Sequence, residues 1–324
     1  MTPRSLSSLL ALALLPFATA QELRRGLVGA DAVLVARQVG KTAHDENLTL
    51  HRLQVLVDVR GGGGAAAVTV LDWPKLALHQ RPTLRQSRLY CLQDASATAN
   101  RLGLPAADGP YYKMVGWPGS NPLVGAEPDR DPFVQFARVL AAGDAGTSPA
   151  DTASALYTTA LGTDVTTRFE ATKHLAERAD LRSKLGGLQW SQLLARATGE
   201  VDDIGYKTAL AELCAAQRLD GVFDALVVSL GQVTDIGYAR TVGRIGKALH
   251  GEDAAARLVA RLQQAGQPGD RAALLLALGA TNTAQALDAL LVMDKKDAAV
   301  EAALREHRSP RAREAVADKK QPPK

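Results

Sequence analysis

The chain has 324 residues, of which 46% are hydrophobic and only 4% aromatic. Its 38 Lys and Arg residues exceed its 34 Asp and Glu residues by only four, and this scattered excess is too small to indicate a nucleic-acid-binding protein, which carries a clustered basic stripe. The two cysteines, Cys91 and Cys214, each lie among apolar residues, so we predict two small buried side chains and no disulfide.

Residues 1–20 have the layout of a cleaved secretory signal. A basic start is followed by a short apolar run and by the small residues Ala18 and Ala20, which place the predicted cleavage before Gln21. No cysteine follows to carry a lipid anchor, and no later segment approaches the roughly 18 apolar residues of a membrane-spanning helix. We therefore predict an exported protein, periplasmic or extracellular, with neither a transmembrane segment nor a lipid anchor.

Residues 21–125 are predicted to form a β-domain, because apolar and β-branched residues recur there with a period of two. In the longest run, Leu53, Val55 and Val57 alternate with other side chains, which predicts one core face and one mostly solvated face. The four glycines 61–64 are predicted to form a turn, since no Gly-Lys-Ser/Thr follows to make a phosphate loop. The predicted strands are Asp31–Arg37, Leu48–Gly61, Ala66–Trp73, Ser87–Gln93 and Tyr111–Trp117. Five short strands favour a small antiparallel barrel, with an immunoglobulin-like sandwich as the alternative.

The first four strands also carry a family resemblance. The order of the motifs ADAVLVARQVGKT, a long strand ending in RG, and RQSRLYCL resembles the netrin-like (TIMP-like) barrels of the OB type over residues 23–95. The resemblance implies an OB-type barrel and raises protease inhibition as a hypothesis. Inhibitors of that family begin with a cysteine that reaches the protease zinc, whereas this mature chain is predicted to begin with Gln21 and Glu22.

Four aromatic residues of the β-domain are the candidate partner-binding residues. Trp73 and Trp117 each precede a proline at a strand end, and Tyr111 and Tyr112 begin the fifth strand. Aromatic side chains at strand ends either fill a barrel core or form a contact surface. We therefore place any partner-binding surface of this domain at these four residues.

The sequence predicts neither a metal site nor a cofactor site. His44, His51 and His79 lack the short paired spacing of zinc ligands, so exposed histidines are expected. Glu170 and His174 lie four residues apart on a predicted helix, but no third catalytic member stands at a matching spacing. A solvated surface pair is expected there, and no catalytic residue is predicted.

Residues 126–130 are predicted to be a linker, and residues 131–318 an α-helical domain that ends in a disordered basic tail at 319–324. Asp131 and Ser148, each followed by proline, are predicted N-caps of the first two helices. A later helix is predicted to turn Leu188, Leu193 and Leu194 inward.

A helix-pair pattern with a period of 32 residues begins near residue 202. Ile204 and Tyr206 return as Ile236 and Tyr238, and we predict both tyrosines to be packing residues. Further residues keep the same spacing, namely Leu210, Val242 and Leu274, and Leu226, Leu258 and Leu290. The pattern predicts an α-solenoid in which small residues such as Gly205, Gly237 and Gly243 allow close helix approach.

The helical repeats resemble the HEAT-like family over residues 164–318, and this resemblance implies scaffolding or partner binding. The favoured hypothesis is an exported, non-catalytic protein that binds a protein or a cell-envelope component through the β-domain and the solenoid. The alternatives are an exported hydrolase with its site near residues 117–131, and protease inhibition through the β-domain.

Overall fold

The computed structural model describes residues 23–73, 82, 84–107, 109–115, 121–201, 203–232, 235–294 and 296–317. The predicted signal segment, the predicted tail, Trp117 and His79 lie outside these residues. The chain forms two compact units, a first unit up to Ala171 and a second unit from Thr172. None of the helices in the described part of the chain is both long and apolar enough to cross a membrane.

The first unit contains a closed barrel of five strands. The strands run in the order β1-β2-β3-β5-β4 and close between β4 and β1, which decides for a barrel over a sandwich. The strands occupy five predicted segments, with bounds β1 Ala32–Ala43, β2 Thr49–Arg60, β3 Ala67–Asp72, β4 Ser87–Asp94 and β5 Tyr111–Met114.

One strand pair departs from the predicted antiparallel barrel, because β3 and β5 pair in parallel. Between β3 and β5 the chain passes through β4 and then through helix α2 (Ser96–Arg101) and a loop. A parallel pair needs such a long connection, since a tight hairpin turn can only join antiparallel strands. The alternation of residues along β5 carries no information on its direction.

The barrel interior is filled by residues that alternate along the strands. Leu53 is fully buried and Val55 is partly buried, as the period-two pattern predicts. The predicted glycine turn is also present between β2 and β3, and Gly61 adopts a positive φ of 73°. A Cβ on Gly61 would lie 2.1 Å from the Asp31 carbonyl oxygen, so glycine is required there for two reasons.

The described part of the first unit contains five helices in addition to the strands. Residues 23–29 are helical and form α1, which the sequence pattern did not predict. Asp131 accepts a hydrogen bond from the Phe133 amide and Ser148 accepts one from the Ala150 amide, which confirms both predicted N-caps. The predicted linker contains a short 3-10 turn, Pro128–Arg130. The remaining bounds are α3 Pro132–Asp144, α4 Pro149–Ala160 and α5 Val165–Glu177, which continues into the second unit.

The second unit is helical throughout its described length and is organised in pairs from α8 onward. The first helices of successive pairs, α8, α10, α12 and α14, each pack against the next, and so do the second helices, α9, α11, α13 and α15. Their bounds, preceded by α6 Ala179–Arg182 and α7 Gly187–Thr198, are α8 Ile204–Ala216, α9 Val222–Ser229, α10 Ile236–His250, α11 Asp253–Leu262, α12 Pro268–Thr281, α13 Ala284–Leu291, α14 Ala298–Glu306 and α15 Pro310–Ala317.

The 32-residue spacing falls on equivalent core positions of these pairs. Most of the residues that keep the spacing are buried, namely Leu210, Val242 and Leu274 in first helices and Leu226, Leu258 and Leu290 in second helices. Ile204 and Ile236 are the exceptions, since Ile204 is only partly buried and Ile236 is 51% exposed. Tyr206 and Tyr238 are fully buried, which confirms that they are packing residues. Gly243 also has the predicted role, since a Cβ there would lie 2.1 Å from the carbonyl oxygen of Ala277 in the next first helix.

The inward face predicted for α7 is wrong at one residue. Leu193 is buried, but Leu188 is 75% exposed, and Trp190 is buried in its place. Trp190 lies three residues before Leu193 on the same helix face, whereas Leu188 lies in the first turn of the helix. The larger indole side chain covers the core there.

Candidate functional site

A histidine and an aspartate pair inside the barrel. His51 is buried rather than exposed, and its Nε2 lies 3.2 Å from Oδ2 of Asp72, which is buried as well. The prediction of an exposed His51 is therefore wrong, although His44 is exposed as predicted. The missed signal is the strand period, because His51 lies two residues before the inward-facing Leu53.

The candidate aromatic residues separate into two groups. Tyr112 belongs to the main barrel core and its hydroxyl donates to the Gly61 carbonyl oxygen at 3.3 Å. Trp73 and Tyr111 are partly buried and pack together against a second apolar cluster that contains Leu48. The Tyr111 hydroxyl donates to the Pro105 carbonyl oxygen. Partner binding through Trp73 and Tyr111 stays a prediction.

Glu170 and His174 were expected to form a solvated surface pair, and this expectation is wrong for Glu170. This carboxylate is buried, and its Oε2 lies 3.5 Å from Nε of Arg24. Arg24 belongs to α1, the helix that the sequence pattern did not predict, so the partner of Glu170 could not be foreseen. A buried, charge-paired carboxylate of this kind ties two helices of the first unit together.

Within the second unit, a groove of about 790 Å³ lies where α10, the end of α12, and the junction of α14 and α15 meet. We call it the basic groove. Its lining residues are Gly237, Arg240, Arg244, Lys247, Ala280, Asn282, Glu306, His307, Arg308 and Ser309. Four of these side chains are cations at neutral pH and one is a carboxylate, so the groove carries a net positive charge.

Three of the cations follow one face of α10. Arg240, Arg244 and Lys247 are spaced four and three residues apart, and all three are exposed. The opposite face of the same helix is buried through residues such as Tyr238 and Val242. Packing against the neighbouring first helices therefore fixes which side of α10 the cations occupy.

Only one of the cations in the basic groove is paired with a carboxylate among the described residues. Nε of Arg240 lies 2.7 Å from Oε2 of Glu306. Arg244 donates to the Thr241 hydroxyl at 2.9 Å, and Lys247 donates to the Asn282 carbonyl oxygen at 3.2 Å. These neutral acceptors leave the charges of Arg244 and Lys247 without a counter-ion from the described part of the chain.

The loops between helices hold the far wall of the groove in place. Asn282, at the end of α12, adopts a left-handed conformation with φ 53°, which asparagine tolerates better than most residues. Its side-chain oxygen accepts a hydrogen bond from the Arg308 amide at 2.6 Å. Asn282 thus fixes the backbone from which Arg308 reaches the groove, while its own carbonyl accepts from Lys247.

His307 is held by two hydrogen bonds. Its Nε2 donates to the Thr283 carbonyl oxygen at 3.0 Å, and its Nδ1 accepts from the Ser309 amide at 3.2 Å. This pair of bonds fits the tautomer that carries its proton on Nε2. Its role is to hold the connection between α14 and α15.

Comparison with known proteins gives no further guidance. No family model matches the chain, and neither a curated protein nor a solved structure does. Among the described residues there is also no group of three or more His, Cys, Asp or Glu side chains arranged to hold a metal ion. The candidate site is therefore argued from its own geometry.

Two buried ionisable side chains outside the groove, Lys207 and Tyr238, have hydrogen-bond partners. Lys207 is buried, donates to the Gly199 carbonyl oxygen at 2.7 Å and lies 5.2 Å from the ring centroid of Tyr238. Burial lowers the pKa of Lys207, while nearby Glu200 acts in the opposite direction. Burial also raises the pKa of Tyr238 to about 12, although a hydrogen bond with Ser229 partly offsets this effect.

The two cysteines are free and buried, as predicted. Burial raises the pKa of the Cys91 thiol to about 12, and it does the same for Cys214. A thiol with such a high pKa carries almost no thiolate at neutral pH, so neither cysteine is suited to nucleophilic chemistry.

Sequence analysis did not identify the basic groove. Its residues come from α10, from the end of α12 and from the α14–α15 connection, and no motif joins them in the sequence. One signal was present, namely the spacing of Arg240, Arg244 and Lys247 at helical intervals opposite the predicted core residues. The net charge of the whole chain did not indicate this local cluster of cations, because the excess of four positive charges is counted over all 324 residues.

Proposed function

We propose that this chain is an exported, non-catalytic interaction protein that binds a protein or a cell-envelope component through its helical unit. The single observation that carries the proposal is the basic groove, where Arg244, Lys247 and Arg308 present charges that no described carboxylate neutralises. Exposed charges of one sign in a groove are suited to attracting and orienting a partner of opposite charge.

The helical unit is proposed to be a HEAT-like α-solenoid. Two features support this: the first helices of successive pairs pack in one row, and the second helices pack in another. Each pair alone would leave half of its apolar surface in water, which would cost a free energy of about 25 cal/mol for each Å² left exposed. Stacking the pairs removes that surface and produces the extended faces through which such repeats bind partners.

The barrel is proposed to be of the OB type, as its resemblance to netrin-like domains implies. Its closed five-stranded architecture supports this assignment. Trp73 and Tyr111, which are partly buried in one cluster, are proposed as a second contact surface together with Trp117. Tyr112 is better suited to support this surface from the core.

Export is proposed from the layout of residues 1–20. Expression of the full chain with its natural start in a bacterial host tests it directly. We expect the protein in the periplasm or medium, with Gln21 as the first residue on N-terminal sequencing. An intact N-terminus that begins at Met1 would contradict export by cleavage.

Affinity capture tests the interaction itself. The mature protein would be used as bait against an envelope extract of the cells that produce it, with mass spectrometry as the readout. The matched bait carries Arg244→Glu and Lys247→Glu, which invert two charges of the basic groove. We expect a partner that the first bait enriches and the second does not. Equal enrichment by both baits, or none by either, would count against the proposal.

A further inference from the structure

The ligand of the basic groove can be inferred from the balance of its charges. Arg240, Arg244, Lys247 and Arg308 contribute four positive charges and Glu306 contributes one negative charge, which leaves three positive charges (4 − 1 = 3). The ligand that offsets this charge carries several negative charges of its own. Guanidinium groups favour oxyanions in particular, since their planar arrangement of donors matches two oxygens of one carboxylate or phosphate group.

The spacing of the cations indicates an extended ligand rather than a single small ion. Arg240 and Lys247 are seven residues apart on α10, which corresponds to a rise of about 10.5 Å along the helix axis. One phosphate or carboxylate group is too small to contact both ends of this row. The three cations rise by about 6.0 Å and then about 4.5 Å along α10. Side chains on the same face of an extended peptide recur about every 6.6 Å, so such a peptide can bring successive carboxylates within reach of these long cationic side chains.

At most of these positions, such a ligand can bind without breaking an existing ion pair. Arg244 and Lys247 donate to a hydroxyl and to a backbone carbonyl, and their charges find no described carboxylate. The Arg308 amide is fixed by Asn282, so its side chain projects from an anchored backbone. Only Arg240 is engaged with a carboxylate, that of Glu306.

We infer that the basic groove binds an acidic peptide segment of a partner protein, with carboxylates of the segment on Arg244, Lys247 and Arg308. The inference rests on the proposed function, because it assumes a partner protein, but the chemistry of the ligand can be tested without that partner. An extended segment would place its alternate carboxylates along the row of cations.

Fluorescence polarisation of a fluorescein-labelled hexaglutamate peptide, titrated with the full mature chain, tests this inference. We expect saturable binding in one-to-one stoichiometry at low ionic strength, weakened by salt because exposed charges are screened. A hexaglutamine peptide of the same length should not bind. In the double variant Arg244→Gln/Lys247→Gln, affinity for hexaglutamate should fall about tenfold, since each exposed ion pair contributes up to about fivefold.

A charge-matched control separates the groove from the general charge of the protein. Arg257 and Arg261 lie on α11 outside the groove lining, and their replacement by Gln removes the same two charges. This variant should bind hexaglutamate as the natural chain does. Circular dichroism confirms that both variants are folded. Equal weakening by the two variants, or no saturable binding by the natural chain, would overturn the inference.

Tripolyphosphate added as a competitor distinguishes a peptide from a phosphate ligand. The inference predicts that it displaces hexaglutamate only at concentrations above those of the peptide itself. Displacement at far lower concentrations would overturn the acidic peptide in favour of a phosphorylated ligand.

Failure of this proposal is also distinguishable from failure of the proposed function. A groove that ignores hexaglutamate, in a chain that still captures a partner, refutes only the ligand chemistry.

Discussion

Arg240 and Glu306, which are 66 residues apart in the chain, form an ion pair with 2.7 Å between Nε of Arg240 and Oε2 of Glu306. The pair links α10 to the end of α14, and both helices pack against α12. Among the described residues that line the basic groove, Glu306 is the one carboxylate. It therefore has two effects, since it holds two walls of the groove together and reduces its positive charge.

Glu306→Gln should strengthen binding of anionic ligands to the groove. The substitution keeps the shape of the side chain, removes the negative charge and releases Arg240. We expect affinity for hexaglutamate to rise about fivefold and stability to fall by less than about 1 kcal/mol, because the ion pair is partly exposed. Glu301→Gln on the same helix, outside the groove lining, is the control. An unchanged or weaker affinity in Glu306→Gln would contradict this role.

Gly243→Ala should destabilise the helical unit. The new Cβ would lie 2.1 Å from the Ala277 carbonyl oxygen and 2.9 Å from the Ala280 Cβ, so α10 and α12 must separate. We expect a loss of about 1–3 kcal/mol in the free energy of unfolding, measured by urea denaturation. Gly269→Ala, where no atom lies within 4 Å of the new Cβ, should be neutral or slightly stabilising. Equal effects of the two substitutions would contradict the close helix approach.

The aspartates that begin two first helices should each contribute to stability. Asp203 accepts hydrogen bonds from the Gly205 and Tyr206 amides, and Asp235 accepts one from the Tyr238 amide. Asp203→Ala and Asp235→Ala should each cost about 1 kcal/mol in urea denaturation. Asparagine at either position should retain most of the stability, because it keeps the accepting oxygen.

Helix α12 provides the control for these caps, because its N-cap residue, Gln267, makes no side-chain hydrogen bond to the helix. Gln267→Ala should therefore leave the urea midpoint nearly unchanged. If Gln267→Ala costs as much as Asp203→Ala, the loss comes from something other than the cap.

Stability should fall in alkaline solution. Burial raises the pKa of Tyr90, Tyr238, Cys91 and Cys214 to about 12 each, above the usual 10.0 for tyrosine and 9.0 for cysteine. The folded chain therefore keeps protons that the unfolded chain releases, so stability decreases with rising pH from about 9 towards 12. The slope reaches about 1.4 kcal/mol per pH unit for each fully shifted group.

Urea midpoints measured between about pH 8 and pH 11 check this decline. Lys207 acts in the opposite direction because its pKa is lowered, but it is one group against four. A midpoint that stays level over this range would contradict the burial of these tyrosines and cysteines. Ultraviolet titration of tyrosine in the folded protein provides the independent readout.

The repeated residues made much of the fold predictable. A residue that must be apolar in every helix pair returns every 32 positions, and Leu226, Leu258 and Leu290 are buried as that rule requires. The barrel strands were predictable for the same reason, since side chains that alternate between core and solvent leave a period of two. The parallel pairing of β3 with β5 was not, because alternation is the same in both directions.

The candidate site was hard to predict because its parts are distant in sequence. Arg240 and Arg308 come together only through the packing of α10, α12 and α14, and no local pattern encodes that arrangement. The histidine in the barrel was missed for a different reason. The lack of zinc-ligand spacing suggested an exposed His51, whereas its position in the strand period places it inside, next to Asp72.

The aromatic residues were candidates because they lie at strand ends, and that position does not distinguish a core residue from a contact residue. Tyr112 is a core residue, while Trp73 and Tyr111 remain partly accessible. The hydrolase and protease-inhibitor hypotheses remain predictions from the sequence alone.

Site-specific photo-cross-linking tests the central claim, that the basic groove contacts a partner. A photo-reactive amino acid would replace Arg308 in the groove or Arg257 on α11, and cells producing either variant would be irradiated. The account predicts a discrete cross-linked protein from position 308, absent from position 257 and lost when Arg244→Gln/Lys247→Gln is added. The same products from both positions, or none from position 308, would contradict it.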